Sequence, residues 1–280
     1  MSKVVILIFH HSAHLKWFER ISLLQCFNVL GDHPIRLVCP EGTNVDEFRK
    51  LVPEIEVDPV PAHWMNSIRE YNRMKVSPSL YNRYRDYEYM LTYELDAFVF
   101  RDELAQWCEQ GYDYIGAPWV TRDEDGEPEL TGVGNSGFSL RNIQSALKVM
   151  NSFGWVKSPW GSAKRSWARG QKLQALGKLL AMTTIYNNTH RWLMRFFIDH
   201  EDGFWSSVGH RRPSFKLASN QKALAFSIEK EPAWFLEQLG GNLPFGCHAW
   251  QKYQPDAWRR HIEACGYDFP DAKGAGVSDG

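Results

Sequence analysis

In Tyr93-Glu94-Leu95-Asp96-Ala97-Phe98-Val99-Phe100 two carboxylates lie two positions apart, flanked by apolar residues on both sides. Alternate residues of an extended chain point the same way, so Glu94 and Asp96 can address one point in space. Two hard oxygen ligands suit Mg²⁺ or Mn²⁺, which commonly carries phosphates in its remaining positions. The plainer alternative is a strand end with two solvated acids. Gly132-Val133-Gly134-Asn135-Ser136-Gly137-Phe138-Ser139-Leu140-Arg141 is glycine-rich with short polar side chains, a composition that lets backbone approach a ligand or simply makes a tight turn. His200-Glu201-Asp202 sets three titratable groups in a row. Adjacent acids repel, which suits one of them to general-base work, but acids are also favoured at a helix N-terminus. In Pro244-Phe245-Gly246-Cys247-His248-Ala249-Trp250 a single His stands among aromatics, either as a ligand or as a packed core histidine.

Alternating elements are available to position these groups. Val4–Phe9 is a continuous apolar run suited to a buried strand, and Phe18, Ile21, Leu24 and Phe27 follow at helical spacing across 17–30. Further strands are predicted at 35–39, 54–58, 87–93 and 113–117, with helices at 46–51 and 102–110. This rhythm implies a mostly parallel sheet with helices on both faces, and such sheets bind ligands at the carboxyl ends of their strands. Beyond Arg141 the rhythm changes to a helix over 142–150, an inserted loop or surface subdomain over 151–168, a basic amphipathic helix over 171–182, a strand over 222–229 and a helix over 256–264. The small-residue stretch 271–280 reads as a frayed tail.

The 280 residues, 44% of them hydrophobic and including 12 Trp, can build a sizeable core and fit one large α/β domain. The longest apolar run, Val4–Phe9, is far below the ~20 residues of a membrane-spanning helix, and no cleavage-site pattern follows it, so a cytoplasmic protein is expected. Five scattered cysteines without a C-x-x-C pair speak against a disulfide framework or zinc site. A net charge of −1 argues against general polyanion binding, yet residues 131–198 hold ten Lys or Arg and no acid.

Taken together and in order, the four motifs resemble those of GT-A-fold glycosyltransferases. Tyr112-Asp113-Tyr114-Ile115-Gly116-Ala117-Pro118-Trp119, Gly134–Arg141 and Pro244–Trp250 look closest to an uncharacterised microbial GT-A-like family, over roughly 70–150 and 198–260. The resemblance implies a single GT-A-like, Rossmann-like α/β domain over 1–270, with a mixed, mostly parallel sheet flanked by helices and a basic aromatic insertion at 151–198. It implies a glycosyltransferase that uses Mn²⁺ or Mg²⁺ and a nucleotide-sugar donor, UDP-sugar first, to build surface glycan or glycolipid. Glu94, Asp96 and His248 would hold the metal, Gly134, Asn135, Ser136, Gly137 and Trp119 would shape the donor and acceptor pocket, and Asp202 with Glu201 beside it would supply the base. Attack assisted by Asp202 from the face opposite the nucleotide would invert the anomeric centre. Glu94 replaces the first Asp of the common pair, Ser136 stands where the family is glycine-rich, and Gly203 stands where a larger residue is common.

With the nucleotide over the first strands, His10 and His11 after strand one and Asn72, Arg73 and Lys75 before the acid pair are its expected contacts, with solvated surface as their alternative. Within 151–198, basic residues interleave with Trp and Leu, which suits peripheral contact with an anionic membrane at its inner face, another polyanion, or a basic face packed within the protein. Other functions compatible with these residues are a nucleotidyltransferase acting on sugar phosphates, which would release pyrophosphate, a non-catalytic carbohydrate-binding or scaffold protein, and transfer to a nucleic-acid acceptor.

Overall fold

A computed structural model of the chain describes residues 3–152, 158–184 and 200–269. The strands are β1 (Val4–Phe9), β2 (Ile35–Pro40), β3 (Glu56–Val60), β4 (Tyr89–Glu94), β5 (Phe98–Val99), β6 (Tyr114–Gly116), β7 (Pro118–Arg122), β8 (Pro128–Val133), β9 (Phe138–Asn142), β10 (Ser227–Ile228) and β11 (Gly246–Cys247). Six of them form the central sheet in the order β3-β2-β1-β4-β9-β6. The first four run parallel, whereas β9 is antiparallel to both β4 and β6. This is the mixed, mostly parallel α/β architecture expected from the sequence.

Strand β1 is a continuous apolar run because both of its faces are covered. Val4, Ile6 and Ile8 pack into one core layer with Leu23 and Cys26 of the helix Trp17–Leu30. Val5, Leu7 and Phe9 pack into the other with Tyr81, Ala146 and Trp205, from helices Pro78–Arg83, Ile143–Met150 and Glu201–Arg211. The chain leaves β1 toward β2 on one side, while β4 pairs on the other with Phe9 opposite Glu94. The carboxyl ends of β1 and β4 therefore flank a topological switch point, where open α/β sheets form their binding crevice.

Several elements differ from the sequence expectation. The predicted strand over 222–229 is the helix Asn220–Phe226 followed by the short β10. Its Ala-Leu-Ala-Phe run suggests a strand, but Ser219 caps a helix by accepting from the Lys222 amide. The inserted loop or surface subdomain expected over 151–168 contains the helix Pro159–Ala168, started by Pro159 and by Ser158, whose hydroxyl accepts from the Gly161 amide. It packs against Lys172–Thr184, the predicted basic helix. The glycine-rich stretch is the end of β8, a turn and the start of β9. The tail at 271–280, and residues 153–157 and 185–198 of the expected insertion, lie outside the described residues.

Candidate functional site

Glu94 ends β4, and the chain then turns, with the Ala97 amide donating to the Glu94 carbonyl at 2.8 Å. The two acids thus converge across a turn, where the sequence pattern suggested an extended chain. After the turn, β5 pairs antiparallel with β11, Phe98 opposite Cys247. His248 leaves β11 beside Asp96, with its Nε2 3.0 Å from Asp96 Oδ1 and 3.8 Å from Glu94 Oε2. Gly137, in the turn before β9, permits this approach. A Cβ there would lie 1.9 Å from His248 Nε2.

Glu94, Asp96 and His248 each offer one ligand atom within 4.8 Å of the others. Asp96 Oδ1 and His248 Nε2 are buried and close, yet neither makes an aligned hydrogen bond. Two carboxylate oxygens and one imidazole nitrogen, facing one another without hydrogen bonding, fit a divalent cation, and the nitrogen ligand suits Mn²⁺ better than Mg²⁺. Burial disfavours charge on His248, but Asp96 foremost, then Glu229 and Glu94, outweigh it and hold its pKa well above the ordinary value. Burial also raises the Glu94 carboxyl, but Lys75 foremost and then His248 outweigh it and hold Glu94 well below the usual carboxylate range. The cluster stabilises positive charge at this point, a demand that a proton or a metal ion can meet.

Of the expected nucleotide contacts, His10 and His11 line a pocket of about 450 Å³ together with Tyr71, Glu94, Asp96 and Gln251. The other three are placed differently. Lys75 is fully buried and ion-pairs with Glu94, its ammonium 4.6 Å from the Tyr71 ring centroid. Asn72 is buried and accepts the Glu201 amide at 2.8 Å. Arg73 pairs with Glu70 on its own helix. Lys75 and Asn72 are not solvated surface, because a charged or polar group this deep needs an internal partner, whereas Arg73 is 31% exposed in a pair at the surface.

Asp202 lies in the first turn of the helix Glu201–Arg211, partly buried. Its Oδ2 accepts from Trp119 Nε1 at 3.3 Å and from the Asn135 amide at 3.2 Å, and its Oδ1 from the Gly203 amide at 2.7 Å. Trp119 lies against Gly134, where a Cβ would come 2.2 Å from the indole. Asn135, at φ 56°, accepts the Gly137 amide on Oδ1. The Ser136 hydroxyl and carbonyl lie 3.4 and 3.5 Å from Lys75 Nζ. One turn therefore touches both Asp202 and the neighbours of His248. Glu201 stands beside Asp202 in the chain, with its side chain turned into the core. It is fully buried and ion-pairs with Arg141 at 2.7 Å, with Lys75 at 3.8 Å. This makes it part of the scaffold.

Sequence reasoning missed Tyr71, Arg141, Glu229 and Gln251. Tyr71 donates its hydroxyl to Glu94 Oε1 at 2.7 Å. Burial first, then Glu94, push its pKa well above the ordinary value, so the phenol keeps the proton it donates. Arg141 had a readable signal: an arginine among Phe138, Leu140 and Ile143 needs a buried acid.

The family model that matches the chain, over residues 54–248, is DUF5672, described as a protein of unknown function. No curated protein matches it in sequence. Similar solved structures include apo mouse xyloside xylosyltransferase 1, at 12% identity and TM-score 0.47, covering 87% of this chain and 96% of that one. An active-site mutant of LgtC matches at 13% identity and TM-score 0.47, covering 97% and 99%. A glycosyltransferase involved in glycosylation of the major capsid of PBCV-1 matches at 10% identity and TM-score 0.40, covering 94% and 100%.

Proposed function

We propose that this chain, which belongs to the DUF5672 family of proteins of unknown function, is a metal-dependent glycosyltransferase that moves a sugar from a nucleotide-sugar donor, UDP-sugar first, to a hydroxyl of a glycan or glycolipid. The observation that carries this is the cluster of Glu94, Asp96 and His248, two of whose members, Glu94 and Asp96, line the switch-point pocket. Among the described residues, the lining of that pocket includes acids and two His but no Lys or Arg. A nucleoside diphosphate is repelled by such a lining unless a cation lies between. A divalent ion held by the three ligands would supply that charge and stabilise the diphosphate as it leaves.

The chain's own residues account for the remaining needs. Trp119, Asn135 and Gly203 fix the orientation of Asp202. As the acceptor oxygen bonds to the anomeric carbon and the bond from that carbon to the diphosphate breaks, Asp202 takes the hydroxyl proton. Displacement from the face opposite the leaving group inverts the anomeric centre. Lys75 and Tyr71 hold Glu94 ionised and oriented.

The test is nucleotide binding by calorimetry and thermal shift, with and without Mn²⁺, on the wild type and on Asp96→Ala. We expect stabilisation by one nucleotide class only when Mn²⁺ is present, and loss of that stabilisation in the variant. Equal binding without metal, or no binding of any nucleotide, would overturn the assignment. A nucleoside diphosphate product separates sugar transfer from nucleotidyl transfer, which releases pyrophosphate.

The helices Pro159–Ala168 and Lys172–Thr184 support an acceptor presented at an anionic lipid surface. Among the described residues, Trp160, Trp167, Leu173, Leu176 and Leu180 are five of the six exposed large hydrophobics, and Ile68 is the sixth. Lys164, Arg165, Arg169, Lys172 and Lys178 accompany them with no acid between 158 and 184. Matching basic charge repels a second copy of this face; Trp160 and Trp167 offer bases a surface to stack on, but the three exposed leucines find an apolar partner in lipid and none in nucleic acid. Sedimentation with vesicles containing phosphatidylserine should capture the protein at low salt and lose it at high salt or in Leu173→Ser/Leu176→Ser. Equal partition onto neutral vesicles, or none onto either, would remove the lipid surface as the partner.

A further inference from the structure

We infer that Glu229 is a positioning residue for the imidazole ligand His248. This rests on the metal-dependent reading above, and its test separates the two. Strands β10 and β11 pair in parallel, Ser227 with Gly246 and Ile228 with Cys247, so the residues that leave them, Glu229 and His248, emerge side by side. The His248 amide donates to the Ile228 carbonyl at 3.0 Å, which locks that alignment.

The imidazole then lies between two acidic sides. Its Nε2 faces Asp96 and Glu94, and its Nδ1 lies 3.4 Å from Glu229 Oε1. A neutral imidazole can ligate through one nitrogen only if the other carries the proton. A carboxylate beside Nδ1 selects the tautomer with the proton there, turns the Nε2 lone pair toward Asp96 and Glu94, and makes that nitrogen more electron-rich. Nδ1 is buried without an aligned hydrogen bond, and Glu229 Oε1 is the carboxylate oxygen within ion-pair distance of it.

Glu229 is held for this purpose by the strand pairing, which leaves its side chain only 18% exposed. A solvated surface acid would not need the parallel pairing that sets it beside His248.

Metal affinity reads this directly. Titration of Mn²⁺ into the full-length protein, with free Mn²⁺ followed by electron paramagnetic resonance, should give a Kd about 10–100-fold weaker for Glu229→Ala than for wild type. Glu229→Gln keeps an acceptor beside Nδ1 but loses the charge, so it should fall between them. Circular dichroism and melting in chelator confirm that each variant is folded, and the isosteric Gln variant carries the test if the Ala variant is not. Wild-type binding with both variants within twofold would overturn the role of Glu229 and leave the metal site standing. Absence of Mn²⁺ binding by the wild type would overturn both.

Discussion

Asp202→Asn should lower turnover by about 10²–10⁴-fold while leaving Mn²⁺-dependent nucleotide affinity within about twofold. The substitution keeps the size of the side chain, and the amide oxygen can still accept from Trp119 Nε1 and the Asn135 amide. It removes the capacity to take a proton. Steady-state kinetics with the donor and acceptor found by screening would measure the loss, and product NMR would read the anomeric configuration. Unchanged turnover, or a product with retained configuration, would remove Asp202 as the base. A fall in nucleotide affinity equal to the fall in rate would instead show that the residue serves donor binding.

Arg141→Leu should cost about 3–5 kcal/mol of stability, because it leaves the buried Glu201 carboxylate with only the more distant Lys75, itself engaged by Glu94, to offset its charge. Glu201 is fully buried and Arg141 nearly so. The guanidinium also bonds Ser139 Oγ and the Tyr81 hydroxyl and lies 5.4 Å from the Tyr114 ring. Burial works against its charge, but Glu201 foremost holds the Arg141 pKa well above its ordinary value. Adding Glu201→Leu to the variant should recover most of the loss, since an apolar pair of similar volume avoids the desolvation of both ions. Urea unfolding of the wild type, both single variants and the double variant gives the coupling. A single-variant cost below about 1 kcal/mol, with no coupling, would show that the pair does not need both charges. Glu201 begins the helix that carries Asp202 and gives its amide to Asn72. Residual activity in Arg141→Leu should therefore fall along with stability.

Glu94, Asp96, Asp202, His248 and the Gly134–Gly137 turn stand out in the chain by residue type and spacing, and the structure brings the first two together with His248. Lys75 and Asn72 were legible only as polar residues near the acid pair. Their neighbours in sequence do not reveal that they point inward, to Glu94 and to the Glu201 amide. Glu229 gave no signal in the chain at all, because it matters only through the strand pairing that sets it beside His248.

By itself, the sequence determined the alternating architecture and the burial of β1, because apolar periodicity, caps and turn residues act over a few positions and need no distant partner. Tertiary structure alone decided the distances at which His248 meets Asp96 and Glu94, that one turn reaches both His248 and Asp202, and that Glu201 answers to Arg141. Those contacts depend on the register of short strands and on the desolvation of buried charges, both of which are properties of the packed chain.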